Sequence, residues 1–138
     1  MLYKLITFLF LVLFFVLTGC GPKTTTVTGT VTLNGKGLQD ISVLLQPVSG
    51  SGTVTEAAFG KTDQQGQFFL TLLFSKKRGV LPGEYLVYIN WVDPNPKPEN
   101  EPQNPCPYNI PLAVTNGSIR QCIEVGHSQR LDFELSRF

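Results

Sequence analysis

Past residue 20, apolar side chains in several stretches of this chain recur at every second position, and no stretch has the spacing of an amphipathic helix. Val27-Thr28-Gly29-Thr30-Val31-Thr32-Leu33 sets Val27, Gly29, Val31 and Leu33 on one face and threonines on the other, the pattern of a half-buried strand. Asn34-Gly35-Lys36-Gly37 tolerates positive φ and predicts a tight turn. A second strand over 41–47 is stopped by Pro47, which has no N–H to donate to a ladder. Residues 54–62 read as a more polar strand, and Asp63-Gln64-Gln65-Gly66 as a hairpin turn in which the aspartate accepts a backbone bond and Gly66 is left-handed. The aromatic and apolar run 68–74 predicts a strand in the densest part of the core. The next strand, 84–92, sets Tyr85, Val87, Ile89 and Trp91 opposite Leu86, Tyr88 and Asn90, and 118–125 and 130–135 close the domain. Seven short strands with glycine-rich turns predict an all-β fold, a seven-stranded antiparallel β-sandwich. Between the fifth and sixth strands, residues 93–111 hold seven of the ten prolines, which favours extended polyproline geometry and excludes a central strand or a helix.

The N-terminus follows different rules. One cation, Lys4, precedes an apolar run over 5–17 broken only by Thr7, then Leu17-Thr18-Gly19-Cys20, then the polar Gly21-Pro22-Lys23-Thr24. A signal peptide has a basic start, an apolar stretch of about 7 to 15 residues and small residues at the cut; a membrane-spanning helix needs about 20. The four residues ending at Cys20 resemble the lipobox of bacterial lipoprotein precursors. That resemblance implies cleavage between Gly19 and Cys20, a covalent diacylglycerol lipid on the Cys20 thiol, and a mature chain that begins there. An uncleaved N-terminal anchor is the competing reading, and it too holds the protein at a membrane. The chain therefore divides into a signal peptide (1–19), a lipidated cysteine with its tether (20–26) and a domain (27–138). Gly21 in place of aspartate leans, by the same resemblance, towards the outer rather than the inner membrane, facing the periplasm.

Without residues 1–19 the chain carries ten basic and ten acidic side chains, which offers no electrostatic footprint for nucleic acid. With Cys20 lipidated, Cys106 and Cys122 form an even pair in an oxidising compartment and are expected to be a disulfide, two free thiols being the alternative. Two cysteines and the single distant His127 lack the spacing of a zinc site. Gly60-Lys61-Thr62 lacks the earlier glycine of a phosphate loop, Thr55 standing there, and a hairpin rather than a helix follows, so no nucleotide is expected. Asp63 lacks the acidic partners of a calcium loop. His127 reads as a turn residue; a triad drawn from it with Ser118 or Ser128 and Asp132 has nothing in the sequence to assemble it. Lys76-Lys77-Arg78 is a cationic loop with some capacity for anionic headgroups, and Asn116-Gly117-Ser118 matches a glycosylation pattern that a bacterial lipoprotein does not ordinarily use. Tyr85, Tyr88, Trp91 and Tyr108 are candidates for an aromatic sugar-binding platform, with packing as the commoner fate of such residues.

Four fragments in order, residues 27–36, 41–47, 60–68 (Gly-Lys-Thr-Asp-Gln-Gln-Gly-Gln-Phe) and 80–85 (Val-Leu-Pro-Gly-Glu-Tyr), resemble the carboxypeptidase regulatory-like, or transthyretin-like, sandwich domains of many small bacterial lipoproteins, notably those of planctomycetes. The resemblance spans about 27–135 and implies a fold and a location, with no shared catalytic residue. Relatives often place a tyrosine after an Ile-Pro pair before the penultimate strand, where this chain has Val114. The hydrolases of that fold use several histidines and a different C-terminus from Leu135-Ser136-Arg137-Phe138. The expectation is a non-enzymatic, lipid-anchored cell-envelope lipoprotein acting as a structural or interaction module. The alternative is a module that binds a carbohydrate or peptide with the 93–111 loop, Trp91 and Tyr108 forming its surface; a hydrolase ranks third. Partners are then the membrane and an envelope protein or glycan, with no cofactor.

Overall fold

The computed structural model describes residues 23–49 and 56–138; the expected signal peptide up to Gly19, the expected lipidation site Cys20 and residues 54–55 of the strand expected over 54–62 lie outside the described residues. The elements are β1 (Thr26–Leu33), β2 (Lys36–Gly37), β3 (Ile41–Pro47), β4 (Ala58–Lys61), β5 (Gln67–Phe69), β6 (Thr71–Leu72), β7 (Gly83–Trp91), a helical turn α1 (Leu112–Thr115), β8 (Ile119–Ile123), β9 (Ser128–Glu134) and a terminal 3-10 turn (Leu135–Arg137). They form a two-sheet, all-β sandwich. In one sheet β1 is flanked by β9 on one edge and by β2 and β5 on the other; the second runs β6-β4-β3-β7-β8.

Nine strands among the described residues, rather than seven, arise from two local events. Asn34 and Gly35 both take positive φ, +52° and +79°, and the two-residue turn they make returns the chain as the short strand β2. The apolar run 68–74 does not continue as one strand: β5 pairs with β1 in the first sheet, while β6 pairs with β4 in the second. Leu70, fully buried between them, is the corner. The densest packing therefore lies elsewhere, where β3 and β7 pair along Ile41–Pro47 and contribute Ile41, Val43, Leu45, Tyr85, Val87 and Ile89, all without exposure. Phe69 and Phe74, expected in the core, are 51% and 78% exposed.

Among the described residues all strand pairs are antiparallel except one. β9 runs parallel to β1 over seven positions, from Thr26↔Ser128 to Thr32↔Glu134. The direction follows from the path of the chain. β8 descends antiparallel to β7, the 124–127 turn crosses to the other sheet, and β9 then ascends from the end at which β1 also starts. Buried Thr25 secures that crossing, its hydroxyl donating to the carbonyls of Glu124 (2.8 Å) and Gly126 (3.3 Å).

Gly29 makes the parallel pair possible. A Cβ there would meet the Leu131 carbonyl oxygen at 1.6 Å and the Phe68 ring at 2.8 Å. Across the bare backbone, Phe68 on β5 reaches Phe133 on β9, with ring centroids 6.3 Å apart. Tyr85 is the other fixed point: buried, it donates its hydroxyl to the Leu81 carbonyl at 2.6 Å, and burial pushes its pKa up to about 12. A tyrosine bonded to backbone a few residues upstream is a recurrent corner of β-sandwiches.

Both ends of the first sheet are tied by side chains. Glu134, at the end of β9, accepts from the hydroxyls of Ser136 (2.7 Å) and Thr32 (2.7 Å) and from the amides of Asn34 (2.8 Å) and Gly35 (3.0 Å). These donors, the Ser136 hydroxyl foremost, hold its carboxyl down at about 2 against an ordinary 4.5.

Two outcomes are expected. Gly29→Ala lowers stability by at least about 2 kcal/mol in urea denaturation, whereas Gly126→Ala, whose Cβ meets nothing within 4 Å, changes it by less than about 0.5 kcal/mol. Because the folded pKa of Glu134 is depressed, its stabilisation is present above 4.5 and is lost as pH falls towards 2. Glu134→Gln is therefore expected to flatten the acid side of the stability–pH curve, read from thermal melts across that window.

Candidate functional site

The sandwich has two distinct ends. One holds the start of β1, the 73–82 hairpin and the 124–127 turn; the other holds the 34–35 turn, the Asp63 hairpin turn, the 93–111 loop and the C-terminus. Antiparallel register places them so: Ile41 at the start of β3 faces Trp91 at the end of β7, and Pro47 faces Tyr85. β1 spans the distance with eight residues, about 26 Å at roughly 3.3 Å per residue.

At the loop end lies an open concavity of about 340 Å³, lined by Asn90, Trp91, Cys106, Tyr108, Ile110 and Thr115 among others. Its floor exists because β8 is short. β8 pairs with β7 only from Gly83 to Val87, so the edge beyond Val87 is covered by the returning loop and by α1. Val114 seats that turn, fully buried. Tyr88 also packs here: a Cβ on Gly117 would stand 2.5 Å from its ring.

The loop above the concavity is organised by its own polar side chains. Asp93 accepts from the Asn95 amide (2.8 Å) and the Asn104 side chain (2.8 Å), Asn104 also donates to the Asn95 carbonyl (3.1 Å), and the Gln103 amide nitrogen lies 3.2 Å from three carbonyls, Lys97, Pro98 and Glu101. With φ fixed at seven prolines in this loop, such bonds hold one conformation at reduced entropic cost. Gln103 and Asn104 gave no sequence signal beyond being amides among prolines.

Trp91 and Tyr108 thus meet in one concavity, both half-buried and packed against the core. Tyr85 does not join them, being wholly interior, and Tyr88 lies under Gly117. An aromatic wall beside the Asn90 and Asn109 amides and the Thr115 hydroxyl suits a neutral ligand with an apolar face and several hydroxyl or amide groups. The volume is at the low end for ligand sites, which run from about 300 Å³.

The expected Cys106–Cys122 bridge is not present; both thiols are free and exposed. Cys122 faces Glu84 near the start of β7, while Cys106 lines the concavity with Trp91 at its end. Seven residues of strand separate those positions by about 23 Å, and a bridge tolerates a Cα separation of about 7 Å at most. Cys106 instead contacts Tyr108, donating to its carbonyl (3.3 Å) and accepting from its amide (3.4 Å).

A second hollow of about 370 Å³ lies on the outer face of the first sheet, lined by Thr28, Lys61, Asp63, Phe69, Arg78 and Arg130 among others. Its charges are largely spent internally. Lys61 pairs with Asp40 and Arg130 with Asp132, each at 2.9 Å, and Arg78 lies 4.7 Å over the Phe69 ring. Asp63 serves its turn as expected, one carboxylate oxygen accepting from the Gln65 and Gln67 amides at 2.9 Å, with Gly66 at φ +78°.

His127 is exposed in the 124–127 turn, and its carbonyl accepts from the Thr26 amide. Ser118 is bonded to Asn116 beyond the far end of β8, and Asp132 is held by Thr30 and Arg130, so the triad residues are dispersed. Among the described residues no group of three or more His, Cys, Asp or Glu is placed to hold a metal ion. Comparison of the chain with family models, curated proteins and solved structures finds no match.

Alkylation without reductant is expected to add two labels to the domain, at Cys106 and Cys122; recovery of a Cys106–Cys122 cross-linked peptide would contradict the geometry of β7.

Proposed function

We propose that the protein is a lipid-anchored, non-enzymatic module of the cell envelope that holds its proline-rich loop away from the membrane towards a partner. The observation that carries this reading is the polarity of the sandwich: the chain enters the domain at one end, and the pinned loop with its aromatic concavity occupies the other. The lipobox-like Leu17-Thr18-Gly19-Cys20 supplies the anchor, two or three acyl chains being enough for stable attachment. Gly21 favours the outer membrane, on its periplasmic side. The sandwich topology is compatible with a carboxypeptidase regulatory-like domain over 27–138, a family assignment that rests on the sequence fragments alone.

A second reading is favoured by one observation, the meeting of Trp91 and Tyr108 beside amide side chains: the concavity takes an envelope glycan or an extended peptide. Aromatic faces stack on sugar rings while Asn90 and Asn109 satisfy hydroxyls.

Intact mass and N-terminal fragmentation of membrane-extracted protein are expected to find a diacylglyceryl group on Cys20, and Cys20→Ala to leave an unlipidated precursor. Recovery of normally lipidated protein from that variant sinks the anchor. For the second reading, Trp91→Ala combined with Tyr108→Ala is expected to weaken retention on cell-wall glycan about tenfold, or about 1.4 kcal/mol; unchanged retention by a folded variant removes it.

A further inference from the structure

We infer that the tether end of the sandwich is itself a membrane-binding surface, in which Phe74 and Val125 enter a bilayer of anionic lipid and Lys23, Lys76 and Lys77 engage its headgroups. The inference rests on the anchor reading for its orientation and goes beyond it by assigning a second contact.

Three observations converge on this end. First, it carries two of the most exposed large apolar side chains of the described residues, Val125 at 86% and Phe74 at 78%. Each is at a turn tip, where an apolar side chain finds no neighbour in its own domain. Second, the tether leaves between them. The Thr24 hydroxyl donates to the Arg78 carbonyl at 3.0 Å, Thr25 exchanges backbone bonds with Val80 at 2.8 Å, and the Thr25 hydroxyl donates to Glu124 beside Val125. The antiparallel register of Thr28 with Phe69 means that β1 traced backwards and β5–β6 traced forwards run the same way, so the hairpin tip and the tether leave from one end. Cys20 is three residues from Lys23, a reach of at most about 11 Å, so a lipid on Cys20 brings this end to the headgroups.

Third, the hairpin tip carries adjacent cations and is preformed. Lys23, Lys76 and Lys77 are exposed, and the carboxylates at this end are Glu56, Glu124 and Glu84, the last paired with Arg120 at 2.9 Å. Glu56 is already engaged: one oxygen accepts from the amides of Phe74 (2.7 Å) and Ser75 (2.6 Å), the other from the Ser75 hydroxyl (3.1 Å), and Lys77 is close enough to favour its ionised form. The bonds fix the tip with Phe74 pointing out, so little ordering remains to be done at the membrane. Cations beside an exposed aromatic suit an interface in which the ring enters the acyl boundary and the charges meet anionic headgroups.

The test uses the full chain reconstituted in vesicles, with Phe74→Trp as the reporter and brominated acyl chains as the quencher. At 30% phosphatidylglycerol, as a chosen composition of about that value, the introduced indole is expected to be quenched. The parent protein, whose single Trp91 lies at the opposite end, is expected not to be. Replacing Lys76 and Lys77 together by glutamine is expected to reduce the quenched fraction about tenfold, as is phosphatidylcholine alone. An unquenched indole on a chain whose Cys20 carries lipid overturns the inference and leaves the anchor standing. Quenching on a chain without lipid at Cys20 sustains it while the anchor fails. If, on a chain carrying Cys106→Ser and Cys122→Ser, Ser75→Cys is shielded from maleimide in native envelopes yet the indole is not quenched, a protein covers this end and the inference is wrong.

Discussion

Everything in the first sheet is paired through β1. It takes β9 along one edge for seven residues and gives the other to β5 and β2 in succession, and Thr25 just before it ties the 124–127 crossing. A strand so placed has no edge of its own left to protect, and the sheet is complete only once β9 has returned to it. The close approach at Gly29 is the narrowest point of that arrangement. The second sheet, with β3 between β4 and β7, is built from nearer neighbours and contributes most of the interior.

The strands were readable where two-residue alternation was clean. Val27 and Val31 are wholly buried and the threonines between them are not, and in β7 Tyr85, Val87 and Ile89 face inward as alternation requires. Turn chemistry was equally direct at Asn34-Gly35 and at Asp63, because those side chains act on the backbone within a few residues. What depended on pairing was not readable. Nothing in Phe68-Phe69-Leu70-Thr71-Leu72 says that its halves join different sheets, since each half alternates correctly for its own. The parallel entry of β9 is likewise a property of the path, not of residues 128–134.

The site shows the same division. Trp91 and Tyr108 were both visible as aromatic candidates, and the structure brings them together because the loop returns to cover the edge that β8 leaves open. Cys106 and Cys122 looked like partners by count alone; a rigid strand lying between their positions decides otherwise. Phe74 misled in the opposite sense: it closes an apolar run, yet it lies beyond the last hydrogen-bonded residue of β6, where a hairpin tip turns it outward.

The 93–111 loop is joined to the sandwich through few points: Val92 at its start, then Tyr108, Ile110 and Val114 where it returns. Its internal bonds run between its own residues, and no buried polar side-chain atom among the described residues waits on it for a partner. The length and composition of the intervening segment are therefore free to drift without cost to the core, while β1 keeps the loop at a constant distance from the start of the domain. A fold arranged this way behaves as a fixed post with an exchangeable head, whose loop can be rewritten without rebuilding the support.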